Sequence, residues 1–129
     1  MTFRTFDKTV KRNQVTRSSV VFVTINARGK MNFSQAARRF FKMEEGDRVL
    51  FHQDMEYRSD WFIQFTKEPQ GYKLVLSKTD TRITAALPAQ EIFKSIGKQP
   101  QKITLPVSQR PYQRDNQLLY RIDVKNPIN

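Results

Sequence analysis

RGKMNFSQAARRFFKMEEGDRVLF, residues Arg28 to Phe51, decides the fold, because it packs a glycine turn, a capped helix, a second glycine turn and the start of a strand into one short stretch. Ser34 is placed to cap a helix over 35–43, its hydroxyl accepting from one of the first unpaired helical N–H groups. At about 100° per residue, Phe33, Ala36, Ala37, Phe40, Phe41 and Met43 fall on one side of that helix. Gln35, Arg38, Arg39 and Lys42 fall on the other. The helix is therefore expected to bury aromatics and to present cations. Glu44 to Asp47 then turns the chain, Gly46 supplying a backbone angle that other residues resist, and RVLFHQ, 48–53, resumes as a strand.

Working outward, SSVVFVTIN (18–26) is β-branched and apolar on both alternating faces, the pattern of a strand covered on two sides. Residues 1–18 alternate Thr, Phe, Lys and Arg without a sustained period and read as a basic N-terminal arm. WFIQFT (61–66) places Trp61, Ile63 and Phe65 on one face, and Glu68 to Gly71 has the chemistry of a hairpin turn into YKLVLS (72–77). A further strand is expected over 82–87. A second helix follows over 88–96, with Pro88 in its first turn and Gly97 as its C-terminal cap. Strands at 102–107 and 118–124 close the chain, split by a loop of sequence SQRPYQRDNQ. The expected class is α+β in a single domain spanning 1–129, dominated by a sheet of about seven strands, with short helices near 34–43 and 88–96. A succession of strand, short helix and strand occurs near residue 33 and again near residue 88, without any matching repeat in the residues themselves.

The 129 residues include 23 Lys and Arg against 12 Asp and Glu, a formal charge of +11, and no Cys. Absence of cysteine removes disulfides, thiolate metal sites and thiol nucleophiles together. No apolar run approaches the ~18 residues of a membrane span and no apolar leader opens the chain, so a cytoplasmic protein without a membrane partner is expected. Catalysis finds few candidates. His52 is the only histidine and falls inside a strand, where packing is its usual role. Asp54, Glu56 and Asp60 form one local carboxylate group but lack the loop glycine of a calcium-binding hand. Neither a dinucleotide-binding GxGxxG nor a phosphate-binding GxxxxGK[ST] occurs. The expectation is a non-catalytic protein without cofactor or metal.

Binding is better supported. Nucleic-acid affinity rests mainly on Lys and Arg neutralising phosphates, which singles out Arg28, Lys30, Arg38, Arg39, Lys42 and Arg48, and in the arm Lys11, Arg12 and Arg17. Arginine adds a planar fork that fits a phosphate or a guanine edge. Trp61, Tyr57, Phe22 and Phe65 are candidate stacking platforms for single strands, the competing role being core.

From Ser19 to about Thr66 the chain resembles the AbrB/MazE-like swapped-hairpin family of DNA-binding transcription factors. The matching pattern is a strand, Gly29-Lys30-Met31 as the turn, a capped helix with Ala37-Arg38-Arg39, and Met43-Glu44-Glu45-Gly46-Asp47 as a hydrophobic-x-x-Gly-Asp turn before two strands. The resemblance implies an interdigitated homodimer whose basic loops and helix ends contact DNA, with Lys30, Arg38 and Arg39 at the contacting positions. Phe33-Ser34 stands where that family has Ile-Pro, and residues beyond Thr66 have no counterpart in it. A basic curved-sheet module for single-stranded nucleic acid is the alternative within the binding class. The sequence thus points to a small regulator or accessory factor acting on DNA rather than RNA. A structural or assembly protein of a mobile element or virion, its basic surface meeting nucleic acid or an acidic partner, is the other reading.

Overall fold

The computed structural model describes residues 20–128. Along the chain run β1 (Phe22–Ile25), β2 (Lys30–Phe33), α1 (Gln35–Phe40), β3 (Arg48–Gln53), β4 (Trp61–Thr66), β5 (Tyr72–Lys73), β6 (Val75–Leu76), β7 (Thr81–Thr84), α2 (Ala86–Ser95), β8 (Ile103–Arg114) and β9 (Gln117–Ile122). The strands form one nine-stranded sheet in the order β5-β3-β4-β9-β8-β1-β2-β7-β6, antiparallel at every pairing. Its two end strands, β5 and β6, are consecutive in the chain with only Leu74 between them. Leu74 is fully buried, and its N–H donates to the Asp47 carbonyl at 3.0 Å. One extended segment therefore borders both ends of the order, and the sheet curls into a near-closed barrel. Alternate strand residues such as Ile25, Met31, Ile63, Ile83, Leu105 and Ile122 are buried and join one core cluster. Each such side chain contributes about 1.5–3 kcal/mol on burial.

The sheet-dominated α+β class agrees with the sequence, but the strands number nine rather than about seven. β2 was hidden between two turn signals, and the stretch 72–77 divides around Leu74 into β5 and β6 because each side has a different partner strand. β4 does not pair with that stretch as a hairpin. It lies between β3 and β9, while residues 67–71 carry the chain around the end of β3 to its other edge. The strand expected over 82–87 stops at Thr84, and α2 begins at Ala86.

The order of elements is two-fold symmetric. Hairpin β1–β2, helix α1 and hairpin β3–β4 are followed by the segment β5/β6 with β7, helix α2 and hairpin β8–β9. Exchanging the two sets leaves the neighbour list unchanged: β1 borders β8 as β5 borders β3, and β2 meets β7 as β4 meets β9. With β5 and β6 counted as one segment, every strand has one neighbour from its own half and one from the other. The faint echo near residues 33 and 88 is the trace of this symmetry.

Both helices end in the same way. In α2 the Gly97 N–H donates to the Lys94 carbonyl and the Lys98 N–H to that of Phe93, a Schellman cap with Gly97 left-handed at φ +68°. In α1 the Lys42 N–H donates to Arg39 and the Met43 N–H to Arg38, with Lys42 left-handed at φ +52°. The helix expected over 35–43 is therefore shorter, ending at Phe40. Its other end is as read from the sequence, since the Ser34 hydroxyl accepts from the Ala37 and Phe22 N–H groups and donates to the Val20 carbonyl. Each helix also receives the turn of the opposite half. Gly29 packs so closely on α2 that a Cβ there would lie 2.5 Å from the Ala86 Cα. Turn 77–80 is tied to α1 by the Gln35 amide donating to Thr79 and the Arg38 guanidinium to Ser77.

The segment expected as a loop, 108–117, is mostly strand. β8 and β9 stay paired to Arg114 and Gln117, joined by Asp115 and Asn116, both left-handed (φ +50° and +65°) as a type I′ turn requires.

Candidate nucleic-acid interface

Residues Arg28 to Arg48, neighbours in sequence, do not form one basic surface. Arg28 lies in the β1–β2 turn and Lys30 opens β2, whereas Arg38, Arg39 and Lys42 follow its far end. Two of these cations are committed to the fold. The half-buried Arg38 donates to the Ser77 carbonyl at 2.7 Å. Arg48 donates to the carbonyls of Gly71 and Pro69 at 3.0 and 3.3 Å, holding the chain where it rounds β3. A guanidinium suits both places because it carries several N–H donors that can reach main-chain oxygens. Arg39 and Lys42 are exposed. Lys11, Arg12 and Arg17 lie outside the described residues.

The turn motif is likewise structural. One Asp47 carboxylate oxygen accepts from the Glu44 N–H and the other from Lys67 at 2.6 Å. That hydrogen bond, with Glu44 nearby, raises the Lys67 pKa above its ordinary value. Asp47 is mostly covered but Lys67 stands in solvent, where such pairs contribute little.

The candidate stacking aromatics separate in the same way. Trp61 is 4% exposed and its indole N–H donates to Ser95, so it is core. Phe65 is half-buried against Phe41 and Tyr120, at centroid distances of 4.9 and 6.2 Å. Phe22 is half-buried in β1, and Tyr57 alone of the four stands clear in solvent. His52 bonds Gln64 at 2.8 Å across the β3–β4 pair. Of the local carboxylates, Asp54 accepts from the Glu56 and Tyr57 N–H groups, and Asp60 from Arg121 at 2.9 Å. Among the described residues no group of three or more His, Cys, Asp or Glu could hold a metal ion. No described helix is long and apolar enough to cross a membrane.

The surface that the sequence did not reveal lies on the outside of β8, β1, β2 and β7. Register puts Thr104, Thr24, Asn32 and Arg82 in one row. One step along, Lys102 and Lys30 flank Asn26. Strand alternation turns Lys30, Asn32 and Arg82 outward while Met31, Thr81 and Ile83 face the core. The result is an open depression of about 480 Å³ whose lining includes Lys30, Arg82, Lys102 and Asp80. Asp80 is engaged by the Asn32 amide at 3.4 Å. Among the described residues none of the three cations lies within salt-bridge distance of a carboxylate. Thr24 and Thr104 bond each other across the floor at 3.1 Å. Of this group only Lys30 was singled out from the sequence. Arg82 and Lys102 stand more than fifty residues away along the chain, so no window of sequence gathers them.

No family model, curated protein or solved structure matches the chain.

Proposed function

We propose that this protein binds double-stranded DNA without catalysis, as a small regulator or accessory factor. The observation that carries the reading is the outer face of β8-β1-β2-β7, where Lys30, Arg82 and Lys102 converge beside Asp80 on a floor of threonine and asparagine, none of the three within salt-bridge distance of a carboxylate among the described residues. Phosphates are what such a face suits: cations supply affinity, hydroxyls and amides supply orientation, and no large apolar group has to be desolvated. Arg28, exposed in the adjoining turn, extends it, and the formal charge of +11 draws a polyanion toward it from any direction. Duplex is favoured over single strands because, of the four candidate stacking aromatics, Trp61 is core and Phe65 and Phe22 are half-buried, so that only Tyr57 among them offers an open ring face to a base. The interlocked halves supply within one chain the two-fold arrangement that the AbrB/MazE resemblance implies for two chains, so the reading requires no dimer.

The test is the salt dependence of duplex binding. Each phosphate contact contributes about 0.9 to the slope of log affinity against log salt. Replacing Lys30, Arg82 and Lys102 together by Ala is expected to lower that slope by about 2.7, with the thermal midpoint unchanged. A triple variant that keeps the parent's slope and affinity overturns the assignment of this face.

A further inference from the structure

The β8–β9 hairpin outruns the sheet that bears it. β8 borders β1 only as far as Pro106, and β9 borders β4 only between Tyr120 and Ile122. The two strands nevertheless pair with each other from Pro111–Tyr120 out to Arg114–Gln117. Residues 109–118 are all exposed, which makes this a two-stranded ribbon with solvent on both faces. Such a ribbon is marginal in water by itself, and its contacts are at the root: Leu119 is buried, Tyr112 lies 5.7 Å from the Phe62 ring, and Tyr120 lies 4.6 Å from Phe41. Farther out, Gln117 lines an open depression with Phe40 and Lys42 and Arg114 one with Asp54 and Glu56, and the Arg114 Nε lies 4.0 Å from the Asp115 carboxylate, while these ribbon side chains stay exposed.

Those side chains are unusual for a merely soluble loop. The sequence QRPYQRDNQL, 109–118, contains neither Lys nor Glu, the ordinary surface residues. Six of its ten residues are arginine or carboxamide, which carry planar forks of donors and acceptors, and Asp115 in the turn is its one carboxylate. Arg114 and Gln117 stand opposite each other at the last rung and share one face, while Gln113 shares the other with Leu118. Pro111 offers no N–H on the ribbon's edge, which obstructs addition of a further strand from another copy. Recognition through side chains is what remains.

We propose that this ribbon enters the major groove of duplex DNA and reads base edges with Arg110, Gln113, Arg114 and Gln117. The proposal rests on the DNA-binding reading above and adds the element that confers sequence preference. A B-form major groove, about 12 Å wide and 8.5 Å deep, admits a two-stranded ribbon. At about 3.3 Å per residue the stretch from Ser108 to Arg114 spans roughly 20 Å, enough to reach the groove floor. Arginine forks onto the O6 and N7 of guanine, and glutamine onto the N6 and N7 of adenine. The deep, narrow major groove of an RNA duplex closes this route. β8 carries both parts, Lys102 lying just before its start and the ribbon forming its far end, so phosphate grip and base reading sit on one continuous strand.

The experiment is selection of binding sites from a randomised duplex DNA pool by the full chain, beside a Gln113→Ala, Arg114→Lys double variant. The lysine keeps the charge and removes only the fork. The parent is expected to enrich a motif. The variant should bind that motif about tenfold or more weakly, while its affinity for random duplex and its thermal midpoint stay as in the parent. If the parent binds duplex but enriches nothing, or the variant selects the same motif with equal affinity, the ribbon is not the reader, although the phosphate-gripping face stands. If the parent binds no duplex at any salt concentration, both readings fall.

Discussion

The two halves of the barrel share one succession of elements and spend it differently. In the first half the elements are short: α1 has six residues, and β3 and β4, six residues each, end together at the loop 54–60. In the second, α2 has ten residues and β8 has twelve, twice the length of its counterpart β3. Symmetry in strand order accounts for closure of the sheet and burial of the core. The departures from it, the ribbon and the cations Arg82 and Lys102, are not needed for closure. That contrast teaches where to look for function, since what the frame does not require is free to serve a partner.

Four substitutions probe the contrast, the most damaging first. Gly29 and Gly46 are both left-handed, at φ +90° and +92°, but a Cβ at Gly29 would meet the backbone of α2, whereas at Gly46 its nearest neighbour is the Lys67 ammonium at 3.9 Å. Gly29→Ala is therefore expected to cost more than about 3 kcal/mol, against about 1 kcal/mol for Gly46→Ala, as read by denaturant unfolding. Equal losses at the two positions would show that the close packing of the β1–β2 turn on α2 is unimportant. Arg38→Ala removes a half-buried, charge-assisted bond to turn 77–80 and should cost about 1 kcal/mol, while leaving the salt slope of DNA binding unchanged. A reduced slope with unchanged stability would return Arg38 to the phosphate-contacting set. Lys42→Gly should stabilise by up to about 1 kcal/mol, because it places in α1 the residue that α2 already has at the same position of its cap.

The parts of this fold that could be read from sequence are those whose cause is local. Ser34 as a cap, Gly97 as a helix end, and the alternation of Trp61, Ile63 and Phe65 depend on residues a few positions apart, and each is present as expected. β2 was missed because four residues between turns carry too little period. The ribbon was missed for a different reason: exposed on both faces, it has no apolar alternation to display, and only Asp115-Asn116 betrayed its turn. At the candidate site, Lys30 was singled out from the sequence, but its companions Arg82 and Lys102 come together only through strand pairing. Arg38 and Arg48 have the same charge as the surface cations. What distinguishes them is a distant carbonyl, at Ser77 or Gly71, that composition does not announce.

The alternation of own and opposite neighbours around the barrel bears on how the molecule folds. Were either half to form first, every one of its strands would lack a companion on one side, and a row of bare amides and carbonyls would face water or another chain. No stable stopping place exists on that route. Acquisition of order is thus expected to be slow, as for other topologies dominated by distant pairings, and all-or-none once under way, with the short run around Leu74 fastening the cylinder only after strands from both ends of the chain have met.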